Sequence, residues 1–333
     1  MKKIKVGIIG GAGYTAGELI RILLWHPNAE IAFVHSKSQF GKPISDIHSD
    51  LIGETSLSFT NQISNDINVL FLCQGHGHSI SFLKENNLPK ELKIIDLSRD
   101  FRLGNQLNRN TAVEEPKNDF IYGLPELNKN QIQNTRKIAN PGCFATAIQL
   151  ALLPLAKAGL LKKEVHIHAL TGSTGAGQKP VSTTHFSWRN NNVSIYKAFQ
   201  HQHLDEIKQS LNFLQDDFSS DINFLPVRGD FSRGIFASLY TKTAAKEADL
   251  RALYEAYYKD QPFVTLTNQN PNLKQVINTN KCILYLEKND DKILIISIID
   301  NLIKGASGQA VQNMNLMFGL EETTGLKLKA MAF

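Results

Sequence analysis

The chain has 333 residues, 42% of them hydrophobic and 20% charged, which is enough apolar content for a sizeable core over about two domains. Its net charge of +5 is spread along the sequence, without a basic stripe or interleaved stacking aromatics, so small anionic ligands are favoured and nucleic acid is not. Three cysteines with no CxxC pair make no disulfide framework or metal site, no apolar run reaches the ~18–20 residues that span a bilayer, and Met1-Lys2-Lys3-Ile4 leads straight into a strand pattern, so a cytoplasmic protein with no membrane partner is expected.

Residues 5–9 read as a short buried strand, 10–17 as a glycine-rich turn, 18–24 as a helix and 31–34 as the next strand. Gly11, Gly13 and Ala16 fit the G-x-G-x-x-G/A spacing, and Gly10, Gly13 and Gly17 give a looser frame. Between a strand and a helix, such glycines let backbone N–H groups approach a pyrophosphate. After the second strand an NAD site presents a carboxylate for the ribose 2′-hydroxyl. This chain presents His35-Ser36-Lys37-Ser38 there, and two hydroxyls with a cation suit the 2′-phosphate of NADP.

Residues 69–73 and 94–97 read as further parallel strands separated by a helix over 79–86, with His76 and His78 in the loop where a doubly wound sheet places its ligand crevice. Residues 96–102 are denser in charge than structure requires, and Arg102 is a candidate anion clamp. Residues 105–119 are polar and without period, an exposed loop.

Asn140-Pro141-Gly142-Cys143 precedes an apolar run over 144–153, which puts Cys143 in the first turn of a helix. Unpaired N–H groups and the helix dipole there favour a thiolate, lowering a thiol pKa from ~8.5 to roughly 3.5–7.5. Cys73 and Cys282 lie in strand-like runs and read as core. Beyond Cys143 the pattern becomes α+β with a largely antiparallel sheet: strands over 165–170, 234–240 and 292–299, a mobile glycine-rich loop over 171–179, and a last helix over 305–318. His201 and His203 open an amphipathic helix carried by Leu204, Ile207, Leu211 and Leu214. Residues two apart do not share a face, so only one histidine is expected to point at the sulfur, as a near-neutral ring exchanging protons around pH 7.

The glycine turn 10–17, Asp96-Leu97-Ser98 with Asp100-Phe101-Arg102, Tyr122-Gly123-Leu124-Pro125-Glu126-Leu127, Asn140-Pro141-Gly142-Cys143, His201-x-His203 with Glu206-Ile207, and Ile299-Asp300-Asn301-Leu302 with Lys304-Gly305 occur in the order found in N-acetyl-γ-glutamyl-phosphate reductases, and the chain resembles that family over nearly its whole length. The resemblance implies an α/β fold of the glyceraldehyde-3-phosphate and aspartate-semialdehyde dehydrogenase type. A Rossmann-like NADP-binding domain over 1–142 would be completed by the C-terminal helix, 303–333. An α+β catalytic and oligomerisation domain with a mixed, largely antiparallel sheet would span 143–302.

By the same resemblance, Cys143 is the nucleophile, His201 the acid/base and His203 its neighbour. Arg102, Glu206 and Asn140 would face substrate. Gly10, Gly13, Tyr14, Thr15, Ser36, Lys37, Ser38, Ser173, Gly175, Gly177 and Asn301 would hold NADP(H), the 171–179 loop closing over it. The implied reaction is NADPH-dependent reduction of N-acetyl-γ-glutamyl phosphate in arginine biosynthesis by a homodimer or homotetramer. Phe144-Ala145, Leu204-Asp205 and Gln74-Gly75-His76-Gly77 depart from the family pattern at pocket edges, so the same chemistry on N-succinyl-γ-glutamyl phosphate or another acyl phosphate stays open.

Overall fold

The computed structural model describes residues 3–104 and 119–332. These divide into two compact units, one built from residues up to Pro141 together with Ala306–Lys327, the other from Gly142–Gly305 with the stretch after Lys327. The C-terminal portion joining the first unit is therefore shorter than the expected 303–333.

In the first unit, β1 (Ile4–Ile9), α1 (Tyr14–Leu24), β2 (Ala29–His35), β3 (Val69–Leu72), α2 (His78–Glu85), β4 (Lys93–Asp96), β5 (Ile121–Tyr122), α3 (Pro125–Gln133) and β6 (Lys137–Ala139) form a six-stranded sheet with helices between strands. Its order is β2-β1-β3-β4-β6-β5 and every pairing is parallel. The near-continuous Val/Ile/Leu/Phe composition of β1 and β3 follows from burial on both faces. The C-terminal helix Gly308–Met317 is buried along its length in this unit, where Asn313 Nδ2 donates to the Gly123 carbonyl and Lys93 Nζ to the Met317 carbonyl at the helix end, each at 2.8 Å. It begins at Gly308 rather than 305, because Ile303–Ser307 make a wider π-type turn first. Of the expected loop 105–119, residues 105–118 lie outside the described residues; Asp119 pairs with Lys137.

The second unit contains α4 (Cys143–Lys157), β7 (Val165–Thr171), β8 (Ser194–Ile195), α6 (His203–Leu214), β9 (Ile222–Arg228), β10 (Ile235–Lys242), α7 (Glu247–Tyr258), β11 (Val264–Thr267), β12 (Cys282–Asn289) and β13 (Lys292–Ile299), with α5 (Phe186–Arg189) as a single turn before β8. The sheet order is β11-β12-β13-β10-β7-β9-β8, antiparallel except for β11–β12 and β7–β9. α4 is buried on all sides after Cys143, which is why its sequence is apolar without an amphipathic stripe. Pro154 within it has no N–H for the Leu150 carbonyl. The Tyr258 hydroxyl donates to that carbonyl at 2.6 Å, and Tyr254 does the same for Ala151.

Cys282 is fully buried at the start of β12, as expected. Cys73 is only partly buried and follows β3 rather than lying in it. Among the described residues, no helix is long and apolar enough to cross a membrane.

Candidate active site

The glycine turn of the first unit is tighter than the sequence suggests, because α1 already begins at Tyr14 and takes Gly17 into the helix. Gly10 adopts φ +80°, and a Cβ there would lie 2.9 Å from the Cys73 carbonyl carbon and oxygen, so the left-handed turn and the close approach both demand glycine. Gly13 sits at the N-cap position with open space above it, and no side chain caps the helix. The first N–H groups of α1, at Tyr14 and Thr15, thus stay open toward the turn, which is the donor set that an anion at a helix start requires.

His48, which no sequence pattern singles out, supports the turn from behind: its Nε2 donates to the Gly11 carbonyl at 2.8 Å, and a Cβ on Gly17 would meet its ring at 2.5 Å. After β2 the chain presents Ser36, Lys37 and Ser38 and no carboxylate; the Ser36 and Ser38 hydroxyls are 3.5 Å apart and Lys37 is exposed.

The dense charge over 96–102 is largely structural. Ser79 and Ser98 hydroxyls donate to the buried Asp96 carboxylate at 2.6 and 2.7 Å, and burial still holds that carboxyl above its ordinary range. Asp100 caps α2, accepting from the N–H groups of Gly77, Ser79 and Ile80 at 2.6, 3.0 and 3.4 Å. Arg102 is buried, with Nε donating to the Asn140 carbonyl and Nη2 to the Leu97 carbonyl, both at 2.8 Å. Asn140 is buried too; its side chain donates to the Ala306 carbonyl and accepts from Asn313, each at 3.1 Å.

In the second unit Cys143 is the first residue of α4, half-buried, with Gly142 as N-cap and no side-chain cap. A Cβ on Gly305 would lie 2.7 Å from the Cys143 Cβ, so the turn after β13 packs directly on the Cys143 backbone. Glu206, in the first turn of α6, accepts from the Gly142 N–H at 3.0 Å, and its other oxygen is 3.9 Å from His203 Nε2. One carboxylate oxygen is therefore already engaged in holding the start of α4.

His201 and His203 are both buried, with ring centroids 4.6 Å apart. Phe144, Tyr196 and Phe224 surround the His201 ring at 5.4, 5.9 and 5.4 Å. This aromatic enclosure, with Lys197 adding a like charge, pushes His201 down to about 4. The expectation of a ring exchanging protons around pH 7 is thus corrected: burial, which a helix-start argument does not see, leaves a neutral imidazole. His201 Nδ1 accepts from the His203 N–H at 3.2 Å, which puts the ring proton on Nε2. Tyr196, not anticipated, is pushed well up by burial and by the charge of Cys143 beside it, against an opposing hydrogen bond from Arg228. Burial pushes the Cys73 thiol far up as well, the opposite of what a nucleophile needs.

The start of the 171–179 segment is anchored, since Ser173 and Thr174 N–H groups donate to the Phe231 and Ser232 carbonyls and Gly172 has Ser232 backbone 2.4 Å from where a Cβ would stand. Gly175 lies inside the 3₁₀ turn Ser173–Ala176 and Gly177 follows it at φ +77°. Asn301 is buried with its side chain engaged in this unit, accepting from the Gly234 N–H at 2.7 Å and donating to Thr174 at 3.1 Å. The resemblance assigns this side chain to the cofactor, and its second amide N–H is not used by these two bonds.

A family model for the semialdehyde dehydrogenase NAD binding domain matches residues 5–135, and one for the semialdehyde dehydrogenase dimerisation domain matches 143–301. The chain is 62% identical over 330 residues to an N-acetyl-gamma-glutamyl-phosphate reductase of Flavobacterium johnsoniae, and 59% identical over 331 residues to one of Parabacteroides distasonis, covering 99% of this chain and 100% of the relative in each case. Among solved structures, aspartate semialdehyde dehydrogenase II of Vibrio cholerae superposes with a TM-score of 0.73 at 16% identity, over 96% of this chain and 99% of that one. Aspartate semialdehyde dehydrogenase of Candida albicans gives 0.69 at 14% identity, over 95% and 99%. The likeness to these structures is one of fold, while the full-length matches carry the assignment: the chain belongs to the N-acetyl-gamma-glutamyl-phosphate reductase family of semialdehyde dehydrogenases.

Proposed function

We propose that the chain reduces N-acetyl-γ-glutamyl phosphate to N-acetylglutamate 5-semialdehyde and phosphate with NADPH, in the cytoplasm, through a thioester on Cys143. The observation that carries the chemistry is Cys143 at the uncapped start of α4 with a buried histidine pair in the same unit. Cys143 as thiolate attacks the γ-carbonyl; a C–S bond forms, the C–O bond to phosphate breaks, and phosphate leaves with the proton that the overall reaction consumes. One difficult step is thereby split into two. Bound NADPH supplies the hydride that takes the thioester to the aldehyde level. In the thiohemiacetal this leaves on Cys143, the oxyanion is stabilised by donors at the α4 start and by His201 Nε2–H, until the C–S bond breaks and the thiolate returns.

Because His201 is held near 4, it acts at neutral pH as a hydrogen-bond donor rather than as a stored imidazolium. His203 with Glu206 fixes the ring order behind it, Glu206 acting through the Gly142 N–H. Arg102 and Asn140 are assigned to the substrate's anionic side. The residues around the glycine turn fit a dinucleotide: Gly10, Gly13, Tyr14 and Thr15 would meet the pyrophosphate, and Ser36, Lys37 and Ser38 the 2′-phosphate. Ser173, Gly175, Gly177 and Asn301 are assigned to the nicotinamide side, with the backbone of 173–177 as the contacting surface. A homo-oligomer is supported by the outer face of the seven-stranded sheet, where Leu170, Leu225 and Tyr240 stay partly exposed on adjacent strands.

The test is phosphate-dependent reduction of NADP by N-acetylglutamate 5-semialdehyde, compared with its N-succinyl analogue. Turnover of the acetyl substrate at higher kcat/KM is expected. Turnover of the succinyl analogue alone would reassign the acyl group, and turnover of neither would overturn the reading.

A further inference from the structure

Arg189 and Arg228 have no part in the reaction as written above. Arg189 ends the short turn before β8 and is 7% exposed. Its Nη2 donates to the carbonyls of Asn192 at 2.6 Å and Arg228 at 3.4 Å, while Nε and Nη1 are shielded from solvent and meet no acceptor. Arg228 closes β9 and also has a shielded Nε without an acceptor, its guanidinium lying 4.7 Å over the Tyr196 ring. Pairing of Ser194 with Arg228 across β8–β9 brings the two arginines to one end of the sheet, and Tyr196, its ring centroid 5.9 Å from that of His201, carries that end to the histidine pair. Among the described residues, neither guanidinium forms an ion pair with a carboxylate. A buried cation with idle donors is costly unless an anion completes it, and the guanidinium fork matches an oxyanion in two places.

We propose that Arg189, with Arg228, is a receptor for an oxyanion of the substrate, either a carboxylate or a phosphoryl group. This rests on the reductase reading above only in that the acyl phosphate carries both groups. Trp188, exposed and with its ring 5.0 Å from the Arg189 guanidinium, is the side chain whose emission would report an anion bound beside it. The chain has two tryptophans, and the other, Trp25, is strongly exposed in the first unit, so Trp25→Phe leaves Trp188 as the sole reporter without touching catalysis.

In the Trp25→Phe protein, tryptophan emission is titrated separately with inorganic phosphate and with N-acetylglutamate. A saturable change with phosphate assigns the site to the phosphoryl group, and one with N-acetylglutamate alone assigns it to a carboxylate. Either response should weaken at least about tenfold in Arg189→Gln, and KM for the acyl phosphate should rise roughly 10–100-fold with kcat changing only a few-fold, the usual range for losing hydrogen bonds to a charged group. A flat titration with both anions overturns the assignment. So does unchanged affinity in Arg189→Gln, or in Arg189→Lys should the glutamine variant not fold. If the titration responds as expected while the acyl phosphate is not turned over, the anion site stands and the reductase reading falls.

Discussion

Gly305→Ala tests how closely the reactive centre depends on backbone contact. The added Cβ would stand 2.7 Å from the Cys143 Cβ and 3.1 Å from its Cα, against 3.4 Å or more for ordinary contact. Both atoms belong to the first residue of α4, so no side chain can swing away; the turn or the helix start must shift by about 0.7 Å, the difference of the two distances. Such overpacking costs about 1–3 kcal/mol. For a unit of this size that lowers its melting transition by roughly 2–4 °C per kcal/mol. Displacing the sulfur by most of an ångström should reduce kcat/KM by about 10²-fold. The measurements are a thermal melt, kcat/KM in phosphate-dependent NADP reduction, and the rate of Cys143 alkylation by iodoacetamide. A variant that melts with wild type and keeps kcat/KM within about twofold would show that the contact is slack and the reasoning wrong.

Cys143→Ser should lose acyl transfer to near background while NADPH still binds by fluorescence titration, because a helix start cannot ionise a hydroxyl at neutral pH. His201→Asn should keep iodoacetamide reactivity at Cys143 yet lower kcat by roughly 10²–10³-fold, the usual cost of losing one oxyanion donor; a larger loss in His203→Asn would reverse the assignment of the pair. The buried neutral His201 also sets a pH dependence: its folded pKa of about 4 lies below the unfolded 6.5, so the unfolded chain binds more protons between those values. Its contribution is then complete above pH 6.5 and is lost as pH falls toward 4, on the order of 3 kcal/mol in all, and denaturant melts from pH 7 to 4.5 should lose less in His201→Asn than in wild type. Lys37→Asp should narrow the preference for NADPH over NADH by about tenfold or more through loss of a 2′-phosphate partner, and an unmodified enzyme using both equally would remove that argument.

What the sequence alone determined was local. The chain-turning Pro141-Gly142 before an apolar run was enough to put Cys143 at a helix start, and the strand–glycine–helix pattern was enough to identify the dinucleotide-type turn, because capping, turn chemistry and hydrophobic period act over a few residues. Cys282 in a run of strand residues was legible as core for the same reason.

The tertiary structure decided what depends on partners distant in the chain. Glu206 carries no mark in sequence showing that its carboxylate holds the Gly142 N–H sixty-four residues away. Asp100 looked like surplus charge until α2 gave it three N–H groups to cap. Asn301 sits in a motif that the resemblance assigns to the cofactor, and only the fold shows that it also joins two segments of its own unit through Gly234 and Thr174. The low pKa of His201 required Phe144, Tyr196 and Phe224 to enclose it, and desolvation is a property of the assembled surroundings, not of the residue type or its helix position.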